Sequence, residues 1–421
     1  MGPNKIGCLL FIACVLVAAS ASSDNGTLGA NVEGLLEYAR SNPEYAAMRY
    51  EADAAAQRVY PAGAFADPGL RIELRDITNG GTTSPTFNPS RVGSTKYTVW
   101  QPLPFFGKRD LKRSVAEADA TQAQGRAAVT WADLAARIKT QYARYFVVMQ
   151  NQVLTREILE LLTRLQGIAE VRYAGGLAPQ QDVIRAQVET TSTRAELIAL
   201  ESEEQAVRAG MNSLLSRAPT ASLAAPARLR PIPSPAKLAP DVLLDRLRSR
   251  NPELFAEEAR IRSAEQSRDL TYRNRYPDFS VGVSPIQTGS RIGEWEVMLE
   301  VNIPLQFESR RSQEREAESM LAAARLRKEA AVNRLTGELF ENLAALQAAH
   351  RTDTLISTSL MPQAEATLQS ALVGYENGKV DFATLLDAQR QVHQSKLTHL
   401  KEVGEAQSRL AVIERLLGED L

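Results

Sequence analysis

Tyr375-Glu376-Asn377-Gly378-Lys379-Val380-Asp381-Phe382-Ala383-Thr384-Leu385-Leu386-Asp387-Ala388-Gln389 reads as the end of one helix, a tight turn and the start of another. Glycine just past a helix and aspartate just before an apolar run are the usual punctuation for such a turn. The chain carries a second copy. Tyr173-Ala174-Gly175-Gly176 leads on to Ala186-Gln187, and both Tyr173 and Ala186-Gln187 lie 202 positions before their counterparts. Working outward, Leu103-Pro104 and Ile303-Pro304 stand 200 apart. Asn42-Pro43-Glu44 is echoed by Asn251-Pro252-Glu253, and Tyr60-Pro61 by Tyr276-Pro277. Repeated landmarks in the same order mark an internal duplication.

The reading divides the chain into a secretory signal at 1–21, a first repeat at 22–217, a Pro- and Ala-rich linker at 218–240 and a second repeat at 241–421. The signal consists of Lys5, an apolar run at 6–19 and the small-residue site Ala19-Ser20-Ala21. Cys8 and Cys14 are the only cysteines. Cleavage after Ala21 leaves neither a disulfide framework nor a thiolate metal site. Acylation of Cys14 is the alternative fate of this leader. Beyond it no apolar stretch reaches the roughly 20 residues of a membrane helix, so the mature chain is either soluble or enters a membrane as strands.

Within each repeat a helix is followed by two strands, a long helix and a returning helix. Leu70, Ile72 and Leu74 alternate with Arg71, Glu73 and Arg75, which is period two. Strands are expected at about 69–76, 95–102, 278–285 and 294–303, with a turn over 289–293. In the last strand Trp295, Val297, Leu299 and Val301 alternate with Glu294, Glu296, Met298 and Glu300. An apolar face backed by an acidic one suits a wall between lipid and water, and equally a half-buried strand of a soluble sandwich. Trp100 and Trp295 are both expected within reach of lipid. In the first repeat a helix opens at Asn42-Pro43 and is expected to run to Tyr60. From 108 to 173 there is no proline, so one helix of roughly 65 residues and about 100 Å fits. Its counterpart, 308–375, carries Pro362, where a kink or break is expected. The helices return over 179–216 and 381–417, with tips at 173–181 and 375–381. Val403, Ala406, Leu410, Ile413 and Leu417 form a coiled-coil seam. Helices this long must pack against neighbours along their whole length.

Four strands cannot close a membrane barrel, because single-chain barrels begin at about 8. An open edge cannot survive in lipid. If the strands are in a membrane, closure is oligomeric, and a trimer with about 12 strands is the smallest solution with an aqueous bore.

The duplicated order of elements, the tip turns quoted above, and Gln101-Pro102-Leu103-Pro104 leading to Phe106-Gly107-Lys108-Arg109 resemble the TolC outer-membrane efflux family, especially the branch serving heavy-metal and related resistance-nodulation-division pumps. The resemblance covers nearly the whole mature chain. It implies a mainly α chain with membrane β: a homotrimeric 12-stranded barrel in the outer-membrane lipid, continued by a long periplasmic α-helical barrel. It also implies a periplasmic adaptor and an inner-membrane pump as partners, and a lower end closed at rest. By the same resemblance Asp387 matches one position of an acidic constriction ring, and Thr384 stands at the other. Tyr375 matches a latch tyrosine and Asp182 its acidic partner. The latch arginine position is Val380, with Lys379 as a possible substitute. Tyr173, Gly176 and Gly378 complete the tips, and Glu296 and Glu300 are assigned to the barrel lumen.

Formal net charge is −1, which gives no footing for nucleic acid. His350, His393 and His399 show no ligand spacing, and no phosphate loop, dinucleotide fingerprint or nucleophile elbow appears. No catalytic, cofactor or metal site is expected. The functional reading is therefore an exit duct for small molecules or metal ions. The alternatives are a periplasmic coiled-coil adaptor or scaffold, and an envelope hydrolase that lacks any visible catalytic constellation.

Overall fold

The computed structural model describes residues 28–78 and 84–421. The expected signal at 1–21 lies outside the described residues. In chain order the elements are α1 (Val32–Ala39), α2 (Pro43–Gln57), α3 (Val59–Gly63), β1 (Gly69–Arg75), β2 (Ser94–Leu103), α4 (Lys108–Ala174) and α5 (Gln180–Leu214). After an extended linker come α6 (Pro240–Arg250), α7 (Pro252–Arg273), β3 (Asp278–Thr288), β4 (Arg291–Asn302), α8 (Phe307–Leu355), α9 (Met361–Glu376) and α10 (Phe382–Leu417).

The two Asn-Pro-Glu motifs do the same work. The Asn42 side chain accepts the Glu44 N–H at 2.8 Å, and the Asn251 side chain accepts the Leu254 N–H at 2.8 Å. Each therefore caps a helix whose next residue is proline, which needs no N–H partner there. Their amide groups then reach across the repeat. Asn42 Nδ2 donates to the Leu214 carbonyl at 2.8 Å, and Asn251 Nδ2 to the Leu416 carbonyl at 2.7 Å. One side chain thus starts one helix and satisfies the open end of another. The first of these helices ends at Gln57 rather than Tyr60. Pro61 has no N–H to offer the Gln57 carbonyl, so the chain re-forms as the short α3.

Helix α4 is unbroken for 67 residues, about 100 Å at 1.5 Å per residue. It packs on α7 towards the sheet and on α5 and α10 in the other direction. Gly125 permits the α7 approach, because a Cβ there would lie 2.8 Å from that of Ala256. The counterpart, α8 and α9, is joined by one π turn, Ile356–Leu360, with no gap. Pro362 sits in the first turn of α9. The wider turn ahead of it accommodates the missing donor, so a π turn replaces the expected break.

The four strands make one antiparallel sheet in the order β1-β2-β3-β4. Strands β2 and β3 belong to different halves of the chain, with Val99 opposite Val283 and Leu103 opposite Phe279. Gly289, at φ +64°, makes the β3–β4 turn tighter than the expected 289–293, and a register shift between Ile286 and Gln287 absorbs the difference. Leu70, Val99, Val283 and Val297 form one cross-strand row, and all are exposed. Trp295 is 68% and Val297 83% exposed. The opposite face carries Lys96, Thr98, Ser284, Glu296 and Glu300; Thr98 and Ser284 share a hydroxyl hydrogen bond of 2.9 Å, and Lys96 pairs with Glu296. Trp100 belongs to this polar face, under the Arg71 guanidinium at 5.2 Å. The expectation that both tryptophans face lipid is therefore corrected for Trp100, since period two puts it with Lys96 and Thr98.

Halfway down the bundle the linker, α4 and the last residues meet on one carboxylate. Buried Glu414 accepts Lys139 Nζ at 2.7 Å, Arg230 at 3.0 and 2.7 Å, and the Leu421 N–H at 3.1 Å. Lys139 also pairs with Asp420. Glu414→Leu leaves the buried Lys139 without its main counter-charge. Thermal or denaturant unfolding is expected to show a loss of about 3–5 kcal/mol. Breaking the exposed Arg113–Glu117 pair is expected to cost under about 1 kcal/mol.

Candidate functional site

The two hairpin tips close alike. At the end of α4 the Gly176 N–H donates to the Tyr173 carbonyl at 3.0 Å and the Leu177 N–H to the Arg172 carbonyl at 2.8 Å. At the end of α9 the Gly378 N–H donates to the Tyr375 carbonyl at 3.0 Å and the Lys379 N–H to the Gly374 carbonyl at 2.8 Å. This paired closure of a helix end needs a left-handed residue. Gly176 and Gly378 provide it, each at φ +68°, where a side chain costs about 1–2 kcal/mol. Asp381 caps α10 by accepting the Thr384 N–H at 2.9 Å and the Thr384 hydroxyl at 2.5 Å. Thr384 is thereby committed to its own cap. Helix α5 starts after Pro179 with no side-chain cap.

Above the turns lies an apolar core built from Leu162, Leu165, Ala186, Tyr375, Phe382 and Leu385, among others. Tyr375 is 2% exposed and packs on Phe382 with ring centres 5.3 Å apart. Its counterpart Tyr173 is 47% exposed. Tyr375 lies inside this core, and Arg172 adds to its cover. Its guanidinium lies 4.9 Å from the Tyr375 ring centre, its Nη1 donates to the Glu376 carbonyl at 2.9 Å, and its Nη2 donates to its own turn at Leu177 at 3.4 Å. The first hairpin therefore grips the end of the second through one side chain. Lys379, the cation that the sequence offers for this place, is exposed and makes no ion pair among the described residues.

Asp182 is 8% exposed, beside this junction, and its carboxylate has no hydrogen bond among the described residues. Burial pushes its carboxyl above the usual range; Arg185 and Arg172 pull it down, and Asp381 adds to the rise. The Tyr375 phenol is raised by burial and then by Asp182, and its hydroxyl has no partner among the described residues. Asp182 and Tyr375 are thus neighbours that are not bonded to one another. Asp387 is highly exposed and stands 3.7 Å from Arg390, which is itself held by Glu189 at 3.1 and 2.7 Å. Asp387 and Arg390 line a groove of about 240 Å³ between α5 and α10, with Ile184, Arg185, Val188 and Ala383. On the sheet, Glu296 is paired with Lys96, while Glu300 is exposed and unpaired among the described residues. No group of three metal-ligating side chains occurs among the described residues. Sequence reasoning missed Arg172, Lys96 and Arg390. Each acts on a different helix or strand, which spacing along the chain does not reveal.

A family model described as outer membrane efflux protein matches residues 243–419. The chain is 23% identical over 382 residues to the cobalt-zinc-cadmium resistance protein CzcC of Cupriavidus metallidurans, covering 90% of this chain and 88% of that one. It shares its fold with the outer membrane protein VceC of Vibrio cholerae, at 18% identity and a TM-score of 0.78, covering 92% and 96% of the two chains. It shares it also with CusC, at 17% identity and 0.76, covering 92% of each chain. The outer-membrane channel OprN is similar too, at 19% identity and 0.75, covering 92% and 89%.

Arg172→Ala removes one ring contact and one inter-hairpin hydrogen bond, together about 1–2 kcal/mol. Amide exchange over 171–178 and 373–380 is expected to speed up about five- to thirtyfold. For Asp182 the folded value is raised, so its contribution to tip stability is full below the ordinary carboxylate range and is lost as pH rises through the folded value. Asp182→Asn keeps the group neutral. At pH 7 it is expected to leave exchange over 180–186 unchanged or slower, and to flatten its acid dependence. Faster exchange in this variant would mean that the ionised carboxylate holds the tip.

Proposed function

We propose that this chain is a member of the outer membrane efflux protein family and that three copies form the exit duct of a tripartite pump, carrying small molecules or metal ions from the periplasm or cytoplasm to the exterior. The family model over residues 243–419 and the fold shared with VceC and CusC support an outer-membrane channel with a periplasmic helical extension. The observation that carries the trimer is the sheet. It has an exposed apolar face, an opposite face of charges and hydroxyls, and two unpaired edges at β1 and β4. An adaptor or scaffold in water would have no use for such a face, whereas a wall with lipid outside and water inside requires it. Three copies supply 12 strands from 4 each and leave no edge. The helices then extend the bore about 100 Å away from the membrane.

The tips at 173–181 and 375–381 form the far end of this duct and meet a periplasmic adaptor and an inner-membrane pump. In this reading Asp387 and Glu300 face the bore, and Arg172 holds the resting tip in place of an arginine at Val380. The metal-resistance name of the sequence relative supports divalent cations as cargo. Exposed carboxylates repeated three times around a narrow tube attract cations, and salt weakens that attraction.

The purified chain is expected to run as a heat-sensitive trimer in detergent. In bilayers of brominated phospholipid, a variant retaining only Trp295 is expected to be quenched, and one retaining only Trp100 to be spared. A detergent-free monomer with Trp295 unquenched sinks the duct. In planar bilayers, Asp387→Asn is expected to lower cation over anion selectivity at 0.1 M salt and to have little effect at 1 M. Unchanged selectivity at low salt removes Asp387 from the bore.

A further inference from the structure

All four strands begin or end at the seam where the long helices start. Gly69, Leu103, Asp278 and Asn302 lie at that end of the sheet. Large apolar side chains cluster there in the open: Phe65, Phe106, Ile303, Leu305 and Phe307, with Phe106 at 85% exposure. Behind them the seam is tied together by direct contacts. Phe105 stacks on Tyr276 with ring centres 4.6 Å apart, and the buried Lys108 is spent on Asp278 at 2.8 Å and the Tyr276 carbonyl at 2.9 Å.

The next cations are not spent in this way. The Arg109 guanidinium lies 3.4 Å from the Phe65 ring centre, and only its Nε is engaged, donating to the Gly63 carbonyl at 2.9 Å. Lys112 is exposed and makes no direct ion pair among the described residues; its charge is felt at Asp278, which Lys108 already holds. Three apart on α4, Arg109 and Lys112 share one helix face, whereas Asp110 points elsewhere. Arg113, Arg311 and Arg275 nearby are neutralised by Glu117, Glu308 and Glu314, whereas Arg273, against Gly107, is exposed and has no ion pair among the described residues. The seam therefore offers Arg109, over an aromatic ring, and Lys112, with Arg273 close by, beside a band of exposed apolar groups.

We infer that this seam is a binding belt for anionic phospholipid of the inner leaflet, with Arg109 and Lys112 holding the headgroup phosphate and the Phe65–Phe106 band contacting the upper acyl chain. A soluble anion would use the cations and leave the apolar band bare; a neutral lipid would cover the band and leave the cations unmatched. A headgroup with net negative charge above a hydrocarbon chain satisfies both. The inference rests on the membrane placement of the sheet proposed above.

The test is native mass spectrometry of the detergent-purified trimer equilibrated with equal amounts of phosphatidylglycerol and phosphatidylcholine of the same chain length. Retention of phosphatidylglycerol is expected to exceed that of phosphatidylcholine. Lys112→Gln, at an exposed site that cannot unfold the chain, is expected to cut the preference about fivefold, and Arg109→Gln with Lys112→Gln about thirtyfold. Arg113→Gln, already paired with Glu117, is expected to keep it. Equal retention of the two lipids by a heat-sensitive wild-type trimer overturns the belt alone. So does release of phosphatidylglycerol by millimolar inorganic phosphate. A chain that stays monomeric without detergent overturns the belt and the duct together.

Discussion

A strand edge carries N–H and C=O groups that hydrocarbon cannot satisfy, and the remaining architecture follows from that fact. One chain makes four strands with both edges open. In the proposed duct the sheet is not finished by its own sequence, and the chain is one part of a ring. The central β2–β3 pairing already joins strands from the two halves of the chain; in the proposed duct the same kind of junction, repeated between subunits, closes the wall. The long helices cannot collapse into a globule and instead pack side by side along their length.

Helices of this length need end control, because each terminus exposes unpaired backbone groups. The chain solves this twice with the same residues. Asn42 and Asn251 cap one helix and bind the last turn of another, and Gly176 and Gly378 close the far ends. Those features were legible in the sequence because they depend on residue type and local order. The length of α4 was legible as an absence of proline. The strand faces were legible as period two, and Trp100 was misplaced by overlooking that same rule beside Lys96 and Thr98.

What stayed hidden was contact between segments far apart in the chain. Nothing near Glu296 points to Lys96, 200 positions away. Nothing near Glu414 announces Lys139 and Arg230. Pro362 signalled a fault in the helix, but not that a π turn five residues long would absorb it. These are consequences of register and packing, which spacing along one strand or helix cannot encode.

The tips show how a duplicated sequence departs from its own symmetry. Counting back 202 positions, Gly374 stands where the first hairpin has Arg172, Thr384 where it has Asp182, and Phe382 where it has Gln180. At Gly374 a Cβ would lie 2.6 Å from a Val380 γ-methyl, so any side chain there requires Val380 to shift. The second tip accordingly buries Tyr375 on Phe382 and receives a cation from outside, while the first keeps Tyr173 exposed and lends Arg172. The hold is mutual but uneven in kind. The first hairpin lends Arg172 to the second at the turn, and the second returns Arg390 to Glu189 of the first higher up. Coupling of this sort is reciprocal, so loosening either tip weakens the other.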